Sequence, residues 1–223
     1  MCDLYEQAAE LHEQGVHLFS SDEKTGIQAL ERKHPDKPMK PGRVTLREHE
    51  YIRHGTQALI ANLEIATGRC LAPSIGDTRT EIDFAAHIEQ TIALDPTGKW
   101  IFIVDQLNTH QSETLVRLVA HACGLDVDLG IKGKEGILQS KATRAAFLQD
   151  ESHRIRFVYT PVHTSWLNQI EMWLSILTRR LLKRGSFTSV NELRERILAF
   201  IEYFNKTMAK PFKWTYAGRP LQA

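Results

Sequence analysis

The sequence predicts an α/β fold, a mixed sheet flanked by helices, and three observations predict it. Short apolar runs of strand type, Val16–Phe19, Trp100–Val104 and Ile155–Tyr159, alternate with longer segments of helical period. Two further apolar runs, 56–65 and 69–75, meet at Thr67-Gly68 in the manner of an antiparallel hairpin. A hairpin followed by alternating helices and strands gives a sheet of mixed direction with helices packed on it.

Taken in order, residues 4–14 read as a short helix with Leu4, Ala8 and Leu11 on one face, ended by Gly15. The strand Val16–Phe19 then runs into Asp22, leaving the aspartate just past its end. Residues 24–50 are rich in Lys, Arg, His and Pro, and read as an irregular basic segment. After the hairpin, residues 80–93 begin at Thr80 with Glu81 and Asp83 in the first turn, where acids favour a helix start. Trp100–Val104 is too short and β-branched for a helix, and Asp105 follows it. Residues 112–123 read as a helix, 124–139 as a Gly-rich loop and 141–149 as a helix. Ile155–Tyr159 is a strand closed by Thr160-Pro161, and long helices are expected over 166–183 and 189–205. The residues from Lys210 to Ala223, with Pro211, Trp214, Tyr216 and Pro220, read as an ordered tail.

The chain has 223 residues, 42% of them hydrophobic, and no shift of composition divides it, so a single domain over 1–223 is expected. Its net charge is +1, a weak field for a protein that grips long DNA unaided. Cys2, Cys70 and Cys123 lack the spacing of a metal site and read as reduced thiols in a cytosolic protein. The polar start Met-Cys-Asp-Leu-Tyr-Glu is no secretory signal, and no apolar run is long enough to predict a membrane span.

Three acidic motifs carry the chemistry. They are Ser-Ser-Asp22-Glu-Lys-Thr, Ile-Phe-Ile-Val-Asp105-Gln-Leu-Asn-Thr-His110 and Trp166-Leu-Asn-Gln-Ile-Glu171-Met-Trp. Two of the acids stand at apolar strands, and the third interrupts the apolar pattern of a helix. Functional groups of such sheets gather at strand ends. If the two strands are adjacent and parallel, Asp22 and Asp105 share one edge, and the helix can aim Glu171 at the same point. Carboxylates held close together suit hard divalent ions, and a pair of such ions can clamp both oxygens of a phosphodiester exchange.

Each residue has a plainer reading beside this one. An aspartate after a strand is commonly a turn or cap residue, and Asn108 and Ser112 compete with Asp105 to cap the next helix. His110 is open to phosphate contact, to orienting a carboxylate and to loop packing. His163 and Trp166 are candidates for the DNA end, with Trp166 equally suited to the core. Asn168 and Gln169 either position Glu171 or touch DNA, and Glu23 is expected on the face opposite Asp22. Arg179, Arg180, Lys183 and Arg184 form the best basic patch, read either as phosphate contacts or as a solvated helix end. The basic stretches Arg32-Lys33-His34 and Lys37 to Arg43 are candidates to follow the backbone of DNA.

At its three motifs the chain resembles the catalytic domain of bacterial insertion-sequence transposases of the IS630 type, in the Tc1/mariner group of the DDE superfamily. The matching stretches are Asp22-Glu-Lys-Thr-Gly, Val104-Asp105-Gln-Leu-Asn-Thr-His110 and Tyr159-Thr-Pro-Val-His-Thr-Ser-Trp-Leu-Asn-Gln-Ile-Glu171-Met-Trp173, and the likeness runs from about Val16 to the end. The resemblance implies a ribonuclease-H-like fold with Asp22, Asp105 and Glu171 as metal-binding catalytic acids. It implies Mg²⁺, with Mn²⁺ as substitute, and DNA strand cleavage and strand transfer at the ends of an insertion sequence. Its partners would be those ends, target DNA and at least one further copy of the chain, since two ends must be brought together. Its place would be the bacterial cytoplasm, at the nucleoid.

Two departures qualify the expectation. Full-length relatives carry a helix-turn-helix region before the catalytic domain, and here only a short helix stands before it. Asp105 and Glu171 are 66 positions apart (171 − 105), about double the separation common in the group, with the extra length expected as an insertion around 124–150. The alternative reading is a truncated or non-catalytic remnant that binds DNA or another transposase chain. A general nuclease of the same fold is a third.

Overall fold

The computed structural model describes residues 1–46 and 48–216. Five strands form one mixed sheet in the order β3-β2-β1-β4-β5. They are β1 (Val16–Arg32), β2 (Tyr51–Glu64), β3 (Cys70–Gly76), β4 (Lys99–Val104) and β5 (Ile155–Tyr159). The first three are antiparallel neighbours, and β4 and β5 continue parallel to β1. This is the expected mixed sheet flanked by helices, the ribonuclease-H-like arrangement.

Period-two alternation assigns each strand residue to one of two cores. Leu18, Ile101 and Ile103 face helices α6 (Ile170–Arg180) and α7 (Val190–Thr207), where they meet Trp173, Leu177, Leu193 and Ile197. Phe19, Trp100, Phe102, Val104 and Phe157 face the other way, onto α3 (Glu81–Ile92), α4 (Glu113–Ala122) and α5 (Lys141–Leu148). On that second face Phe102 stacks between Trp100 and Phe157, at 6.0 and 5.3 Å between ring centroids. Each large side chain so buried contributes roughly 1.5–3 kcal/mol. The helix starts obey local rules: Thr80 and Asp83 form a capping box, Ser112 caps α4, and Ser140 caps α5.

Several expected boundaries differ. The single helix expected over 4–14 is two short ones, α1 (Cys2–Glu6) and α2 (Ala8–Glu13), broken at Gln7. The segment 24–50, expected to be irregular throughout, is strand as far as Arg32 and again extended from Tyr51. Register shifts between Lys24 and Ile27 and between Ala29 and Leu30 hide its alternation, since each bulge moves side chains to the opposite face. Asp22 therefore lies within β1, paired with Ala61, and not past the end of the strand. The helix expected over 166–183 is interrupted: a 3₁₀ turn covers Ser165–Leu167, α6 starts at Ile170, and a second 3₁₀ turn covers Leu182–Arg184. The break falls where Asn168 turns away to bond the sheet.

Of the tail, 210–216 are among the described residues and 217–223 lie outside them. Its start crosses the β2–β3 turn at Gly68, whose φ is +69°. A Cβ there would land on the backbone of Lys210. Gly68→Ala is expected to destabilise the protein by at least about 1 kcal/mol through the left-handed backbone alone, with earlier tryptic cleavage at Lys213, the next residue of the tail that trypsin can cut. Thermal melts and limited proteolysis measure the two effects.

Candidate active site

The parallel pairing of β1 with β4 builds the site. Its register pairs Ser20 with Ile103, so two residues further along each strand Asp22 comes beside Asp105. Asp22 is only 6% exposed, and its Oδ1 accepts the Glu23 N–H at 2.8 Å. Burial, joined by the charges of Asp105 and Glu23, raises the Asp22 pKa from 3.8 to about 7 against the pull of the Glu23 N–H and of His110.

Asp105 stands at the mouth, with its side chain 24% exposed. One oxygen, Oδ1, accepts the Leu107 N–H at 2.9 Å and lies 2.7 Å from His110 Nδ1. Burial acts to raise its pKa, but the His110 and Leu107 hydrogen bonds, with the charges of His110 and Lys141, outweigh it and hold the carboxyl below its ordinary value.

His110 is fully buried, 4.3 Å from the Phe84 ring, with its Nε2 3.2 Å from Glu23 Oε2. Burial alone would push its pKa down. The hydrogen bonds and charges of Asp105 and Glu23 win, and raise it to about 10. His110 is thus clamped between two carboxylates and packed on Phe84, with its side chain closed off from solvent. Glu23 does point away from Asp22, as expected, but it is a buried partner of His110 and not a spare surface acid.

Glu171 lies in the first turn of α6, whose start is nailed to β1 beside Asp22. Asn168 is buried, hydrogen-bonds through Oδ1 to Ser20 and donates through Nδ2 to the Ser21 carbonyl at 2.9 Å. The Ile170 N–H donates to Ser20 Oγ at 2.8 Å, and the Tyr5 hydroxyl holds the Leu167 carbonyl at 2.9 Å. Of the two roles open to Asn168 and Gln169, Asn168 takes positioning. Gln169 is buried as well.

Glu171 lines a cleft of about 330 Å³ with Lys24, Ser175, Thr178 and Arg179. Lys24 follows Asp22 by two residues on the same strand, so Glu171 overlooks the strand that carries Asp22. The structure brings Asp22 and Asp105 together, and it places Glu171 in a cleft shared with Lys24 of the strand that carries Asp22. Among the described residues no three His, Cys, Asp or Glu side chains stand as a ready cluster for a metal ion.

Other candidates separate. Asn108 is exposed, and the Ser112 hydroxyl, not Asn108, caps α4. His163 is exposed in the Pro161–Thr164 turn at φ +63°. Arg179 shares the Glu171 cleft, while Arg180, Lys183 and Arg184 lie towards and beyond the far end of α6. Sequence reasoning missed the functions of Glu23, Ser20 and Tyr5, and no spacing in the chain announces them. It also missed Lys141, whose Nζ donates to the Gln106 carbonyl at 2.8 Å beside Asp105.

The site so far is a pair of adjacent carboxylates at the parallel-strand edge of a ribonuclease-H-like sheet. Residues 17–194 match the DDE superfamily endonucleases, and the chain belongs to that family. Among solved structures it is similar to a Mos1 mariner paired end complex with Mn, with TM-score 0.54, 11% identity, and coverage of 91% of this chain and 54% of that one. A pre-cleavage Mos1 transpososome matches with TM-score 0.52, 10% identity, and coverage of 90% and 54%. The likeness is one of fold, and the chain spans about half the length of these structures. No protein of curated function matches it.

Two expectations follow from the buried charges. Unfolded Asp22 loses its proton near pH 3.8 and folded Asp22 near 7. Below that window both states are neutral; above it both are charged and the fold bears the burial. Stability therefore falls as pH rises from about 4 to 7. Asp22→Asn should stabilise the protein at pH 8 by on the order of 1–4 kcal/mol, with the gain vanishing towards pH 4 in urea melts free of divalent ions. His110→Ala leaves Glu23 and Asp105 buried without their cation, and should cost about 3–5 kcal/mol in the same melts at pH 7.

Proposed function

We propose that this chain is the catalytic domain of a DNA transposase of the IS630 type, in the Tc1/mariner group, which cuts DNA at the ends of an insertion sequence and joins them to target DNA. The observation that carries the reading is the in-register pair Asp22 and Asp105, inside the segment that matches the DDE endonucleases. In this reading residues 1–223 form one catalytic domain, with 124–150 as an insertion that supplies α5. A further copy of the chain is the partner that brings a second DNA end, and the setting is the bacterial nucleoid.

The donor set suits Mg²⁺, or Mn²⁺ in its place. All three acids offer hard oxygens, and Asp22 is a buried carboxyl whose charge is costly beside Asp105 until a cation neutralises it. Asp22, Asp105 and Glu171 would hold the ions. When bound, such ions activate the attacking oxygen and stabilise the leaving one. The chain's own residues prepare that site. His110 and the Leu107 N–H hold Asp105 through Oδ1. Glu23 keeps His110 charged and in place. Asn168 and Ser20 set where α6 begins, and so where Glu171 stands. No covalent intermediate on the protein is required, because water and then the freed 3′-hydroxyl are the nucleophiles.

A second reading, a non-catalytic partner that binds DNA or another transposase chain, is favoured by the net charge of +1. Two measurements separate them. Saturating Mn²⁺ should raise the melting temperature, by the equivalent of about 2.7 kcal/mol at a hundredfold excess over Kd, and Asp22→Asn combined with Asp105→Asn should abolish the rise. Supercoiled and linear DNA carrying terminal repeats should be nicked and joined in Mg²⁺ or Mn²⁺. Activity that persists in Asp105→Ala sinks the catalytic assignment; cutting without joining assigns a general nuclease.

A further inference from the structure

In the turn that leads into α6 lies an exposed aromatic residue, Trp166, that the chemistry above leaves unused. Trp166 is 57% exposed, and Val162 and Leu107 on the neighbouring loops are 62% and 37% exposed. Leu107 follows Asp105 by two residues and bonds it, and Trp166 stands two residues before Asn168, which bonds Ser20 and Ser21 next to Asp22. Trp166 suits the core by composition, yet it is held open to solvent, and the way it is held is specific. Tyr216 meets it edge-on, with ring centroids 5.2 Å apart and planes at 71°. Trp214 lies across Tyr216 at 6.4 Å, and Tyr5 lies against Trp214 at 4.7 Å. The Tyr5 hydroxyl returns to the carbonyl of Leu167, the residue after Trp166. Four rings and one hydrogen bond thus close a loop around a single exposed indole.

An exposed tryptophan forgoes its burial energy, and a braced one has lost its rotamer freedom in advance; both are properties of a binding anchor. We propose that Trp166, braced by Tyr216, is a stacking platform for one unpaired nucleobase of the DNA strand held at the acids. This rests on the DNA reading above. The occupant follows from charge and shape. Asp22 and Asp105 make the edge hostile to bare phosphate, whereas a base is flat, neutral and stacks on an indole. A base inside a duplex has both faces covered, so only an unpaired or flipped one can take this surface. Lys213 is exposed on the same tail, between Phe212 and Trp214.

The test uses the full chain in Ca²⁺ and two oligonucleotides, a blunt duplex and the same duplex with an unpaired extension carrying 2-aminopurine. Wild type should bind both, bind the extended one more tightly, and quench the 2-aminopurine. Trp166→Ala should weaken the extended duplex about 5- to 150-fold, abolish the quenching, and leave the blunt duplex unchanged. Trp166→Phe should keep most of the preference, and it stands in should the alanine variant fail to fold. If wild type binds both DNAs and Trp166→Ala binds the extension equally well, the platform is overturned while the DNA reading stands. Wild type that binds neither DNA overturns both. Loss of self-association in Trp166→Ala with DNA affinity intact overturns the platform in favour of a protein contact.

Discussion

The parallel pairing of β1 with β4 is the constraint on which the site depends. Five consecutive residue pairs, from Val16 with Lys99 to Ser20 with Ile103, fix the relative height of the two strands. A slip of one residue would turn every side chain of a strand to the other face, taking Phe19 and Phe102 out of their shared core and parting Asp22 from Asp105. The aromatic stack of Trp100, Phe102 and Phe157 makes such a slip costly. Hydrophobic packing below the edge thereby holds a juxtaposition above it that electrostatics alone would oppose.

That opposition is visible in the titrating groups. Two carboxylates brought together in a half-buried edge resist ionising together. The fold resolves this unevenly. Asp105 receives a buried imidazolium and a backbone N–H and stays charged, whereas Asp22 receives one N–H and keeps its proton until near neutrality. His110 in turn needs Glu23 to stay charged in an apolar pocket beside Phe84. The edge carries more negative charge than it can comfortably hold, which is the physical condition for a site that draws in a cation.

The third acid obeys a different logic. Glu171 is placed by the way α6 begins, through Asn168, Ser20 and the Tyr5 hydroxyl. The same Tyr5 opens the ring chain that braces Trp166. The first helix, whose Tyr5 lies 162 residues before Leu167, and the tail with Tyr216 converge on one short junction and hold both a carboxylate and an indole.

Much of this was legible in the chain. Strand runs, helix caps and the Asp22 and Asp105 motifs are local patterns, and local patterns are written in neighbouring residues. The hairpin at Thr67-Gly68, the strand Trp100–Val104 and the helix starting after Thr80 all stand where the spacing puts them. The full length of β1 was hidden because two bulges erase its alternation. The break at Asn168 was hidden because its cause is a strand nearly 150 positions earlier. By itself the sequence determined the fold class, the acids available for chemistry and the edge of the sheet where two of them could meet. Only the tertiary structure decided that Glu23 and His110 share their charges with Asp105, that Asp22 holds its proton, and that Trp166 stays in solvent. Burial and long-range pairing set those outcomes, and neither is a property of any stretch of residues read alone.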